Sequence, residues 1–196
     1  MAAIDSLSSL REDPFHGASK RGFGTAVQTV IDYFDLYEDL NHTSVVSFLS
    51  GHVSHGMGFV HDIPSNHRDI FPQTDFFRKQ SLRALEAGMS FHLFVCTPNY
   101  ASLSSLKFLC LKTGGSLFHY EDSENSMPQD VFRHFKSAQA MRCLLRIRTA
   151  EEFSTADSYG IEADVNHKGL FRLSSCDRNK CHSFALQFDS PAGFSK

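Results

Sequence analysis

Residues 74–120 read TDFFRKQSLRALEAGMSFHLFVCTPNYASLSSLKFLCLKTGGSLFHY, and the fold turns on them. Thr74-Asp75 opens the run FFRKQSLRALEAG, which Gly88 stops, and this predicts a helix. Ser90 to Thr97 (SFHLFVCT) is a short apolar run that predicts a buried strand, broken by Pro98 and Asn99. From Ala101 to Lys112, Leu103, Leu106, Leu109 and Cys110 share one helical face, and Gly114-Gly115 ends that helix. Ser116 to Tyr120 (SLFHY) predicts another strand.

The same alternation extends outward. Val27, Val30, Ile31 and Phe34 fall at helical spacing, with Thr25 as N-cap and Asn41-His42-Thr43 as the stop. Ser44 to Leu49 (SVVSFL) predicts a buried strand. The stretch Ser50 to Gln73 holds Gly51, Gly56, Gly58, Pro64 and Pro72 and little periodicity. A loop of that length is a binding loop or disordered, and is expected to be mobile. Pro128 to Ala138 predicts a further helix, with Pro in the first turn where a missing N–H costs little. Helices between strands demand crossovers, so Val45–Leu49, Phe91–Cys96 and Leu117–Tyr120 are predicted as parallel neighbours in a helix-covered sheet. From Met141 the texture changes. MRCLLRIRT, SYGIEADV, GLFRLSS and HSFALQFD read as strands with no helix between them, hence antiparallel. The division is therefore 1–20 disordered, 21–140 an α/β unit with a mainly parallel sheet, and 141–196 an antiparallel β portion.

The bulk numbers exclude several classes. The 196 residues carry a net charge of -3, with 41% hydrophobic and 21% charged residues, and no basic excess to neutralise phosphates, so nucleic acid is not an expected partner. No apolar run approaches membrane-spanning length. The start, MAAIDSLSSLRED, lacks a basic segment followed by an apolar one, so no secretory signal is read there. Of the five cysteines, Cys96, Cys110 and Cys143 lie in apolar surroundings, which suggests free thiols in a reducing compartment, the cytosol.

Candidate chemistry is sparse. Cys176 and Cys181, with His182 adjoining, offer part of a zinc site, but the second ligand pair is missing and the segment reads as a polar turn. His52, His55, His61 and His67 sit at irregular spacing in the long loop, with Asp62 and Asp69 the nearby acids. Gly22-Phe23-Gly24 lacks the strand before it and the third glycine of a dinucleotide fingerprint. Lys112-Thr113-Gly114-Gly115 reverses the order of a phosphate loop and reads as a helix stop. No G-x-S-x-G elbow is present. Arg142, Arg146 and Arg148 alternate along one predicted strand and so share a face, which is solvated or meets an acidic surface. No catalytic, cofactor-binding or metal residue is assigned. A small Rossmann-like enzyme remains a rival, with Ser50, Thr97 and Tyr120 at its strand ends, and so does a metal-binding module on the Cys176 turn.

Three ordered segments resemble the COPII inner-coat family, the Sec twenty-three and Sec twenty-four proteins. The first is Arg21-Gly22-Phe23-Gly24-Thr25-Ala26-Val27. The second is Thr74-Asp75-Phe76-Phe77-Arg78-Lys79, then Phe91 to Val95, then Asn99 to Leu106, and it is similar to the cargo-selecting subunit. The third is Thr113 to Tyr120, then Ala140-Met141-Arg142 and Ile147-Arg148-Thr149. The resemblance covers Arg21 to Asp189. It implies a partial von Willebrand A-like trunk over 21–140 and a β-sandwich portion over 141–196. It also implies a non-enzymatic coat role in endoplasmic-reticulum-to-Golgi transport and cargo selection. The implied partners are the other inner-coat subunit and cargo, with cytoplasmic location and peripheral attachment at the endoplasmic reticulum membrane and COPII vesicles. The family's zinc ribbon, first trunk strands, helical domain and gelsolin-like domain have no counterpart in these residues, nor does the GTPase-activating arginine. Asp5-Ser6-Leu7-Ser8-Ser9 misses the register of the metal-coordinating Asp-x-Ser-x-Ser pattern of von Willebrand A domains. A sheet that starts after the family's first strands is expected to expose an edge and to self-associate unless a partner covers it.

Overall fold

The computed structural model describes residues 20–37, 43–61, 71–122, 126–159, 162–163, 167 and 169–189. In chain order the elements are α1 (Phe23–Asp35), β1 (Ser44–Leu49), α2 (Phe76–Glu86), β2 (Ser90–Cys96), α3 (Leu103–Thr113), β3 (Leu117–Tyr120) and α4 (Met127–Lys136). They continue with β4 (Gln139–Arg146), β5 (Phe153–Tyr159), β6 (Glu162–Ala163), β7 (Leu170–Asp177) and β8 (Ser183–Phe188).

The first sheet has the order β1-β2-β3, with both pairings parallel, as the helix–strand alternation predicts. β2 is central, and Ser90 to Val95 are all buried. Side chains alternate across a strand, so β2 supplies two layers at once. Phe91, Leu93 and Val95 join Val27 and Ile31 of α1, Phe77 and Ala84 of α2, and Leu106 and Leu109 of α3 in one core. Ser90, His92 and Phe94 face the opposite side, where His134 of α4 packs. The sheet is thus flanked by helices on both faces.

The remaining strands are antiparallel. β4-β7-β6 form one sheet and β5-β8 a second. They meet where Phe171 of β7 packs on Phe184 of β8, the rings tilted and their centroids 4.8 Å apart, among Cys143, Leu145, Ile147 and Leu173. The β portion is therefore two packed sheets whose strand pairs interleave in sequence, with β4 joined to β7 and β5 to β8, rather than a series of hairpins.

Four expectations are corrected. α1 begins at Phe23 behind Gly22, so Thr25 does not cap it; its hydroxyl instead accepts the Met57 N–H at 3.2 Å. The same helix ends at Asp35 in a tightened turn, with Leu36 N–H on Tyr33 O and Tyr37 N–H on Phe34 O, well before Asn41. The strand expected over SYGIEADV is replaced by β5, which starts at Phe153, and the short β6. FSTADSY is too polar to show a strand's alternation. Finally, residues 51–61 form a packed turn instead of a mobile loop. Val53 and Val60 are buried, Val60 N–H bonds Val53 O at 3.0 Å, and His55 N–H bonds Arg21 O at 3.1 Å. The Gln73 side chain accepts the His61 N–H at 3.0 Å and donates to the His61 carbonyl at 3.3 Å, clamping the far end. Two valines seven positions apart in sequence leave no periodic pattern to read. Residues 62–70, His67 among them, lie outside the described residues.

Candidate interaction surface

An aromatic row crosses the first sheet on the α4 side. Parallel register puts Phe48 beside Phe94 and Phe94 beside Phe118. The rings stack, at 5.3 Å and 4.8 Å between centroids. Phe94 is buried and Phe118 half-buried, yet Phe48 on β1 is 56% exposed. Among the described residues nothing pairs with the other edge of β1, whose SVVSFL carries neither charge nor proline. α4 adds further apolar surface, since Phe132 and Phe135 are 65% and 53% exposed while His134 alone of that helix is buried.

A second set of contacts ties the α3–β3 turn to the β portion. Thr113 accepts the Phe91 N–H at 3.1 Å and donates to Leu109 O at 2.7 Å, so the end of α3 is fastened to the start of β2. Gly114 takes φ +71°, which lets the chain leave the helix and bring Gly115 against the backbone of Phe91. Ser175 Oγ of β7 donates to Gly114 O at 2.9 Å. Lys180, in the β7–β8 turn, donates to Gly115 O and to Ser116 Oγ, the latter at 3.0 Å. Burial pulls the Lys180 ammonium below its ordinary value, while Asp177 works the other way.

The residues singled out in the sequence do not converge. Ser50 accepts from Arg21 Nε at 3.3 Å. Thr97 gives its N–H to Tyr120 O and its hydroxyl oxygen accepts from the Asn99 N–H. Tyr120 donates to Asp130 at 3.1 Å, and burial with that bond pushes its pKa up to about 12. These strand-end groups are engaged internally: Thr97 and Tyr120 meet through the backbone of adjoining strands, and Ser50 stands apart on Arg21. Cys176 is half-buried on β7 and Cys181 is exposed. His182 has no partner for either ring nitrogen among the described residues, and burial lowers its pKa. His55 and His61 are exposed and His52 half-buried, in different parts of the packed turn. The five cysteines are unpaired. Only Cys110 is fully buried, and burial pushes its thiol up to about 12, which leaves it unreactive. Arg142 and Arg146 do share the outer face of β4, with Arg148 exposed just beyond, around a Leu144 that is 67% exposed. Arg172, directly across from Leu144, enlarges this basic face.

The chain is 33% identical to the protein transport protein SEC23 D of Arabidopsis thaliana over 193 residues, covering 90% of this chain and 26% of that protein. The chain belongs to the COPII inner-coat family. The crystal structure of the human COPII-coat protein Sec24c has the same fold, with a TM-score of 0.71 and 17% identity over 85% of this chain. That match covers 24% of the Sec24c chain, so this inner-coat segment spans about a quarter of the length of either relative. No family model matches it. The sequence relative is a Sec23 protein, whereas the motifs resemble the cargo-selecting subunit; the likeness to Sec24c, at 17% identity, is one of fold. Four members of the surface and its support went unread in the inner-coat segment's sequence: His92, His134, Ser175 and Lys180. Their partners lie 24 to 65 residues away, and no local pattern carries such pairings.

Proposed function

We propose that this chain acts as a non-enzymatic part of the COPII inner coat in endoplasmic-reticulum-to-Golgi transport. In this reading it binds the other inner-coat subunit and takes part in cargo selection. It works at the cytoplasmic face and is held peripherally at the membrane through the coat. Residues 21–140 serve as a partial trunk and 141–196 as a β-sandwich portion. The observation that carries the reading is the contrast in how polar and apolar groups are used. The polar groups at the strand ends are engaged internally, whereas the β1 edge, Phe48 and the outer residues of α4 are left for a partner. Kinship over 90% of the chain to a protein named for protein transport supports the same conclusion. Among the described residues no helix is long and apolar enough to cross a membrane.

The test is direct binding of the purified chain to each purified inner-coat subunit. Saturable binding to one of them is expected. Absence of saturable binding to both, by a chain shown to be folded, would overturn the proposal. The free edge carries its own prediction. An uncharged, unpaired strand edge invites association, so sedimentation should show concentration-dependent assembly of the isolated chain. Phe48→Lys, which places a charge on that open strand, should shift it to monomer. A wild-type monomer at all concentrations would show that the β1 edge is not a contact surface.

A further inference from the structure

α4 is held on the sheet by one buried residue, His134, and near its start by Asp130, which accepts from Tyr120 of β3 at 3.1 Å. His134 is its only buried side chain, and its ring packs edge-on against Phe94 and Phe118 at 6.0 Å and 5.6 Å. Its Nε2 lies 2.9 Å from Nδ1 of His92, which is 1% exposed in the middle of β2. The same Nδ1 receives the backbone N–H of Ser116 at 3.2 Å. A backbone N–H can only donate, so His92 Nδ1 carries no proton and its neutral ring is protonated at Nε2, toward Ser90 Oγ at 3.5 Å. Two bare nitrogens at 2.9 Å would repel, so His134 holds its proton on Nε2 and donates it. The arrangement exists only with His92 neutral. A proton on Nδ1 would confront two donors at once.

We infer that the His92–His134 contact is a proton-sensitive latch, which holds α4 on the sheet when His92 is neutral and releases it when His92 is protonated. The surroundings favour release. From the β7–β8 turn, the Lys180 ammonium sits on Gly115 and Ser116, next to His92, and opposes a second positive charge. Asp177 of β7 is the acid that acts on both rings in the other sense. From β4 the pair meets the neutral Gln139 amide, whose Nε2 lies 3.4 Å from His134 Nε2; with the proton on that histidine nitrogen, the amide turns its oxygen rather than its nitrogen toward the ring. Burial, then His134, then Lys180 depress His92 from 6.5 to about 4, and burial depresses His134. The sign follows. The closed form binds fewer protons than the open form, so the latch is at full strength above about 6.5 and weakens as pH falls toward 4. Release uncovers Phe94 and Phe118 and frees the α4 aromatics.

Hydrogen exchange of the full chain, corrected for intrinsic rates, reads the latch directly. Between pH 7.5 and pH 5 the amides of α4 should lose protection by up to about thirtyfold, the limit reached if His92 moves from about 4 in the closed form to its ordinary 6.5 in the open one. Circular dichroism should show the chain still folded, with the amides of α3 remaining the slower set. His92→Asn keeps an acceptor without a titrating ring, and in it the pH response of α4 should collapse; His134→Phe keeps the packing without the donor, and in it the response should shrink to the part that burial and Lys180 impose on His92. An α4 that does not respond to pH in the wild type, that opens only together with α3, or that responds equally in the variants overturns the latch.

Discussion

Gly115→Ala is expected to destabilise the chain by at least about 3 kcal/mol, the upper range for forcing extra atoms into a packed site. An added Cβ would sit 1.7 Å from the carbonyl oxygen of Phe91. That oxygen belongs to the central strand, which is bonded to neighbours on both sides and cannot retreat without disturbing β1 and β3 together. The neighbouring turn is pinned as well, by Lys180 on Gly115 O and Ser175 on Gly114 O. Gly51→Ala is the matching control. Its new Cβ would meet the flexible end of the Arg21 side chain at 3.1 Å, which can swing aside, so a cost below about 1 kcal/mol is expected. Urea denaturation of both variants measures the difference. Equal midpoints would mean that the close approach of Gly115 to β2 carries no weight.

Phe94→Ala is expected to remove about 3–5 kcal/mol, the usual range for deleting a fully buried aromatic ring. Phe94 has rings on three sides: Phe48, Phe118 and His134. The cavity therefore opens in the middle of the row and leaves the α4 contact without its floor. Phe48→Ala, in the same row but half in solvent, should cost only about 1 kcal/mol, because little area returns to water and one stacking contact is lost. The two values, taken from equilibrium denaturation, separate the part of the row that holds the fold from the part that is free to meet a partner.

How much of this was legible in the sequence depends on the range of each signal. β1, β2 and β3 stand out as short apolar runs, and Gly88 and Gly114 mark helix ends, because those signals lie within one element. The parallel arrangement follows from the intervening helices. Thr25 misled because a hydroxyl before an apolar run looks like a cap, whereas tertiary structure uses it to hold Met57, 32 residues on. β5 was obscured by its polar composition. The histidine pair was invisible for a different reason. His92 sits in a strand that is buried on both faces, and its partner is 42 residues away on a helix whose remaining side chains look to solvent or only partly in. The aromatic row could be guessed from Phe content but not its register, which the β1–β2 and β2–β3 pairings set.

The fastening of the α3–β3 turn from the β portion has a consequence for biosynthesis. Ser175 and Lys180 follow their acceptors Gly114 and Gly115 by 61 and 65 residues. At about 5–20 residues per second, a ribosome that has released the turn needs roughly 3–13 s more to deliver the groups that close it. His134 arrives in the interval, so α4 can settle on the aromatic face before the clamp exists. The nascent α/β portion therefore passes through seconds in which its sheet is assembled but its third strand is secured from one side only. In that window a chaperone that holds the uncovered α3–β3 turn competes with the not-yet-synthesised carboxy-terminal strands for it.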